Sequence, residues 1–211
     1  MSSALTSILW VAIAVVIFLF VMPRLRQKVM GGKSGQRQRQ LEELELSGVS
    51  PKKIAELGKE LAARLAKDAK RVPKHELEIT RHALWMAMLL EAGADDDIDD
   101  REVKFVSTLY GRLIANEPGH SHITDAGDRI QEDRKGALAE IAKAKNVSLQ
   151  SKQNILWGAF LVSISNYAME PSEAKWLVEI ADTLAMNAQE RDATFKAMSE
   201  SVSASETDMP S

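Results

Sequence analysis

From Ser2 to Pro23 the chain carries no charged residue, and residues 8–22 are unbroken apolar sequence, ILWVAIAVVIFLFVM. A run of this kind cannot lie on the surface of a water-soluble domain without exposing a large apolar face. At about 1.5 Å per residue, a helix over residues 4–22 is roughly 28 Å long, close to the thickness of a hydrocarbon core. Pro23 ends it at the interface. A cleaved signal peptide would carry a positive n-region and a small-residue cleavage site. No Lys or Arg precedes this run, and MPRLRQK follows it. Residues 1–23 therefore read as an uncleaved, single-pass transmembrane anchor.

Arg24, Arg26, Lys28, Lys33, Arg37 and Arg39 follow the span with no acid among them. The positive-inside rule puts this flank in the cytoplasm, which leaves the short N-terminus outside. The expected location is a bacterial inner membrane, with the rest of the chain on its cytoplasmic side. The basic flank can also touch anionic lipid.

The 211 residues are 45% apolar and 27% charged, the composition of a folded chain. The formal net charge is −3, so the global basic excess of a duplex-DNA binder is missing. No Cys occurs, which excludes disulfides, thiol nucleophiles and Cys-ligated metal. No phosphate-binding glycine loop, nucleophile elbow or H-E-x-x-H is present. His120-Ser-His122 with Asp125 and Asp128 is the one His/Asp cluster, and without a third histidine it reads as a solvated loop. Trp85, Trp157, Phe160 and Trp176 lack the interleaved Arg and Lys of a nucleic-acid stacking platform and read as core or interface. The chain is expected to be neither an enzyme nor a nucleic-acid binder.

Residues 24–50 form a basic, Gly- and Gln-rich linker. Ser50-Pro51 is an N-cap with Pro at N1, and Ile54, Leu57, Leu61 and Leu65 follow at helical spacing. This amphipathic connector, 51–72, has docking on its own domain as its default partner. Residues 73–199 are helical throughout, with helices expected at 75–92, 100–115, 126–145, 149–167, 172–186 and 188–199. Asn187 with Glu190 makes a capping box, and residues 200–211 read as a disordered tail.

Shifting the chain by 71 residues superimposes two helical hairpins. Leu84-Trp85 falls on Ile155-Leu156, Leu89-Leu90 on Phe160-Leu161, Ile98 on Met169, Glu102 on Glu173, Phe105-Val106 on Trp176-Leu177, and Leu113 on Leu184. One hairpin cannot bury its apolar face alone, whereas two can share a core. The expected architecture is all-α: a transmembrane helix followed by a bundle of two duplicated hairpins.

Between Glu91 and Glu102 the first turn holds seven carboxylates and one arginine. Clustered aspartates repel, and hard cations such as Ca²⁺ or Mg²⁺ bind such oxygen clusters. The spacing is not that of an EF-hand: counted from Asp95, position six is Asp100 where Gly is required, and position twelve is Val106 where Glu is required. Capping by Asp99 and Glu102 accounts for part of the acidity. It leaves Asp95, Asp96 and Asp97 unexplained. The candidate cation ligands are Asp95, Asp97, Asp99, Glu102 and, from the matching second turn, Glu173.

At these residues the chain resembles the TerB family, the helical domain of tellurite-resistance TerB and of DjlA-type proteins. The turn pattern A-D-G-x-[IV]-x-x-x-E is matched by Ala94-Asp95-Asp96-Asp97-Ile98 with Glu102, and again by Ser165-Asn166-Tyr167-Ala168-Met169 with Glu173. The likeness covers about residues 74–198. Asp96 and Tyr167 stand where the pattern has glycine, and Asn166 where it has aspartate. The resemblance implies an all-helical bundle, a tellurite or membrane-stress context and divalent-cation binding. The J domain of DjlA-type proteins is not carried over, since no His-Pro-Asp occurs. The expected function is a membrane-anchored, non-enzymatic protein-interaction module. The alternative is a structural or assembly subunit docking onto a larger inner-membrane complex.

Overall fold

Ser50 caps the first helix as its sequence requires: its hydroxyl accepts from the Lys53 amide at 3.2 Å, with Pro51 following in the first turn. The computed structural model describes residues 48–94, 100–114, 130 and 132–203, which belong to one unit, Gln40–Ser211. Its described residues are all-α, with seven α-helices and no strand. We number them α1 (Pro51–Asp68), α2 (Lys74–Ala92), α3 (Asp100–Ile114), α4 (Arg134–Ala142), α5 (Leu149–Ser163), α6 (Pro171–Thr183) and α7 (Ala188–Ser203). The expected transmembrane segment, the basic linker and the loop with His120 and His122 lie outside the described residues. Among those described, no helix is long and apolar enough to cross a membrane.

The apolar stripe of α1 does what its spacing predicts: Leu57, Leu61 and Leu65 are buried in the same core as α2 and α5. The connector therefore docks on its own domain. Gly58 of α1 faces Leu109 of α3. On its other side α1 meets α5, where the Asn154 amide donates to Asp68 at 2.8 Å and the Arg64 guanidinium lies 4.7 Å above the Trp157 ring.

Helices α2 and α5 form the centre and run parallel. At their N-terminal ends Glu76 Oε1 accepts from the Ser148 amide and the Ser151 hydroxyl, each at 3.0 Å. At their C-terminal ends Glu91 Oε1 accepts from the Ser163 hydroxyl at 2.8 Å. Between these clasps the helices approach so closely that a Cβ on Gly158 would collide with Leu84 Cδ1. The C-terminal halves of both helices are apolar on nearly every side, as befits segments enclosed by others: Leu84, Met88, Leu89, Leu90, Ile155, Leu156 and Phe160 are fully buried.

The outer helices are exchanged. α1 precedes α2 in the chain but packs on α3 and α5, while α4 precedes α5 but packs on α2 and α6. The α4 contacts include His82 to Glu140 at 2.9 Å and Arg134 over the Trp176 ring at 5.3 Å.

Three expected boundaries change. In the stretch expected as one helix, 126–145, residues 130 and 132 are helical, Asp133 interrupts, and α4 covers Arg134–Ala142 before a 3₁₀ turn, Lys143–Asn146; residues 126–129 and 131 lie outside the described residues. Asp133 caps α4 by accepting from the Gly136 amide at 2.8 Å, which sets its start. The helix expected at 149–167 ends at Ser163 and tightens into a 3₁₀ turn, Ile164–Asn166, because Tyr167 adopts a left-handed φ of 73° that no right-handed helix can continue. The last helix runs on to Ser203 rather than stopping at 199: Val202 packs against the core, and Ser201 and Ser203 return their hydroxyls to the Met198 and Ser199 carbonyls. The Asn187–Glu190 capping box forms as predicted, each side chain accepting from the other residue's amide at 3.0 and 2.8 Å.

Candidate functional site

The parallel course of α2 and α5 carries both hairpin turns to one end of the domain. There Glu91, in the last turn of α2, is fully buried. One carboxylate oxygen is satisfied by Ser163, whose hydroxyl also lies 3.3 Å from the Ala159 carbonyl. The other, Oε2, is buried with no hydrogen-bond partner. A carboxylate left half-satisfied in a low-dielectric interior takes up a proton or finds a cation. Burial is the largest influence and pushes the Glu91 pKa well above the usual carboxylate range; the Ser163 hydrogen bond works against this, and the neighbouring Glu173 charge adds to it.

Glu173 sits in the first turn of α6 and completes a capping box with Glu170, whose amide donates to Glu173 Oε2 at 2.6 Å. Its field reaches Glu91. Glu102 lies in α3, the helix that follows the first turn. Asp95, Asp97 and Asp99 lie outside the described residues. Among the described residues no three His, Asp or Glu side chains are grouped so as to hold a metal ion. Of the candidate ligands, the structure brings Glu173 to this end of the bundle and adds Glu91 to it.

Arg134 borders the same end. Its guanidinium donates to the Gly93 carbonyl just beyond α2 and covers the Trp176 ring of α6, so it ties α4 to both hairpins. The second turn is shaped by Asn166, whose side-chain carbonyl accepts from the Ala168 amide at 3.3 Å, and by Tyr167. Tyr167 is 49% exposed, and its carbonyl accepts from the Val49 amide at 3.0 Å, tying the entry to α1 to this turn. The left-handed conformation falls on the residue aligned with the pattern's glycine, the type that adopts it without strain.

Among the described residues, His82 and several aromatics meet neighbouring helices away from this end. His82 is half-exposed and meets Glu140 across α2 and α4. Trp157 and Phe160 are buried edge to face, with centroids 5.5 Å apart. Trp85 packs on Tyr110 at 4.8 Å, and the Tyr110 hydroxyl donates to the Arg81 carbonyl.

Sequence reasoning counted Glu91 among seven turn carboxylates without separating it from them, and passed over Ser163. The separating signal was present. Each is a lone polar residue closing an apolar run, MLLEA and FLVSI, and they lie 72 positions apart, next to the repeat spacing. No known family model matches this chain, and no curated protein or solved structure gives a significant match to it.

Proposed function

We propose that the chain is a membrane-anchored, cytoplasm-facing TerB-like protein whose helical domain is a non-enzymatic interaction module loaded with a divalent cation. The observation that carries the reading is Glu91, a fully buried carboxyl with one oxygen unpartnered, at the end where both turns converge. Such an oxygen is the ligand type that Ca²⁺ and Mg²⁺ take. Glu173 stands beside it, and the sequence places Asp95, Asp97, Asp99 and Glu102 directly after it. A bound cation would supply the charge that keeps Glu91 ionised, and its binding would release the proton that burial favours.

Two features support the TerB resemblance and the duplication it entails. Tyr167 is left-handed where the family pattern has glycine. The packing also exchanges α1 and α4 between halves, as a duplication that begins before the hairpins would. A module of this kind acts by offering a surface that changes with cation occupancy, and a tellurite or membrane-stress context is what the resemblance supplies.

Calorimetric titration of the chelator-treated full chain with Ca²⁺ and Mg²⁺ tests the reading. Saturable heat and a raised melting temperature with either cation are expected, and both should vanish in Glu91→Gln and in Asp95→Ala/Asp97→Ala. A heatless titration and an unmoved melting temperature would reject the cation.

A second reading, an assembly subunit of a larger inner-membrane complex, draws on the half-exposed Tyr167 at the same end. Aromatic side chains are frequent interface anchors. Migration of the gently solubilised protein as a lone monomer would count against it.

A further inference from the structure

The opposite end of the α2–α5 pair has the reverse character. The turn from α1 to α2 brings Lys67, Lys70, Arg71, Lys74 and His75 into solvent. The 3₁₀ turn and the start of α5 add exposed Lys145 and half-buried Lys152. Hydrogen bonds join these segments into one corner: Asp68 to Asn154 at 2.8 Å, and Glu76 to Ser148 and Ser151 at 3.0 Å. The corner's two flanking acids, Asp68 and Glu76, are each engaged by α5 or the residue that caps it, and the exposed cations outnumber them. Lys67, Lys70, Arg71, Lys145 and Lys152 make no ion pair among the described residues, and Lys74 has only Glu78 at 4.0 Å.

One further side chain singles this corner out. Among the described residues only two large apolar side chains are exposed, and one of them, Leu149 at 40%, sits between Lys145 and Lys152. An exposed apolar side chain in a lysine-rich segment suits the boundary between lipid headgroups and acyl chains, where the charges meet anionic headgroups and the apolar group enters between them.

We propose that this corner is a second membrane contact: Lys67, Lys70, Arg71, Lys145 and Lys152 lie on the anionic lipid surface, with Leu149 inserted among the headgroups. The inference rests on the membrane-anchored reading. The anchor and the linker of residues 24–50 hold the domain near the bilayer, so a weak patch acts at high effective concentration.

The test uses the full chain reconstituted into vesicles of phosphatidylcholine alone, or of phosphatidylcholine with about a third phosphatidylglycerol. A membrane-impermeant lysine reagent is read by mass spectrometry, with Lys59 and Lys196 as reference sites. In the anionic vesicles at low salt, labelling of Lys70, Lys145 and Lys152 should fall at least threefold relative to the references. It should recover at high salt at all three sites, and at Lys70 and Lys152 in Leu149→Asp/Lys145→Glu, a variant confined to exposed side chains. Equal labelling in the two lipids, or protection that appears only on adding RNA, overturns the proposal. Flotation after a carbonate wash separates the two readings. A chain that floats with both lipids yet labels equally keeps its anchor and loses this contact. A chain that floats with anionic vesicles at low salt before the wash, and with neither lipid after it, keeps this contact and loses its anchor.

Discussion

Ser163 donates its hydroxyl to Glu91 across the C-terminal ends of two parallel helices, 2.8 Å apart, and leaves the other oxygen of the same carboxyl bare in the core. The pair clasps the bundle and also holds its least satisfied group.

Glu91→Gln should stabilise the cation-free protein at pH 8. Burial and the Glu173 charge raise the Glu91 pKa in the folded state, so the folded chain binds more protons than the unfolded one above the ordinary glutamate value of about 4.3. Stability from this group is complete below that value and is lost as pH rises through the folded pKa. Glutamine keeps an acceptor for Ser163 and cannot ionise. We expect a gain of about 1–3 kcal/mol at pH 8, and a flatter stability profile from pH 5 to 8. Chemical denaturation in chelator at a series of pH values measures both.

Glu76 should respond in the opposite sense. The Ser148 amide, then its hydroxyl, and the Ser151 hydroxyl hold its pKa below the usual carboxylate range, partly offset by desolvation. Its contribution is present above the unfolded value and is lost as pH falls through the folded one. Solvent reaches this clasp, so Glu76→Gln should cost no more than about 1 kcal/mol at pH 7. The difference from wild type should shrink as pH falls below the ordinary glutamate value, as followed by helical circular dichroism in urea.

Gly158→Ala should destabilise by about 1–3 kcal/mol, despite alanine's better helix propensity, because the new methyl collides with Leu84 across the α2–α5 contact. Leu84→Ala in the same chain should recover part of that loss. A double-mutant cycle with a coupling energy near zero would show that the helices can separate at no cost.

Ala185→Gly should stabilise. Ala185 holds a φ of 52° just after α6, where the Leu184, Ala185 and Met186 amides return to the carbonyls of the helix end. A left-handed C-terminal position is where glycine is preferred. A gain of about 0.5–1 kcal/mol is expected, read as a rise in melting temperature.

Local chemistry made much of this fold legible. Ser50-Pro51, the Leu57–Leu61–Leu65 spacing and Asn187 with Glu190 specify helix starts and faces through nearest neighbours alone, and the structure follows them. The end of α5 was harder to read, because Tyr167 is a residue type that seldom takes a positive φ and the pattern around it continues a helix. The start of α4 depended on Asp133 capping a short, weakly amphipathic segment. The candidate site was legible as an acidic turn and not as a buried carboxyl. Burial of Glu91 is a consequence of which helix faces which, a fact held by the parallel pairing of α2 with α5 and by no run of adjacent residues.

The exchange of α1 and α4 between halves makes each half the other's missing wall. A chain severed between α3 and α4 would yield two pieces that are each unable to close a core, yet are obliged to recombine when mixed. The domain should consequently melt in a single step.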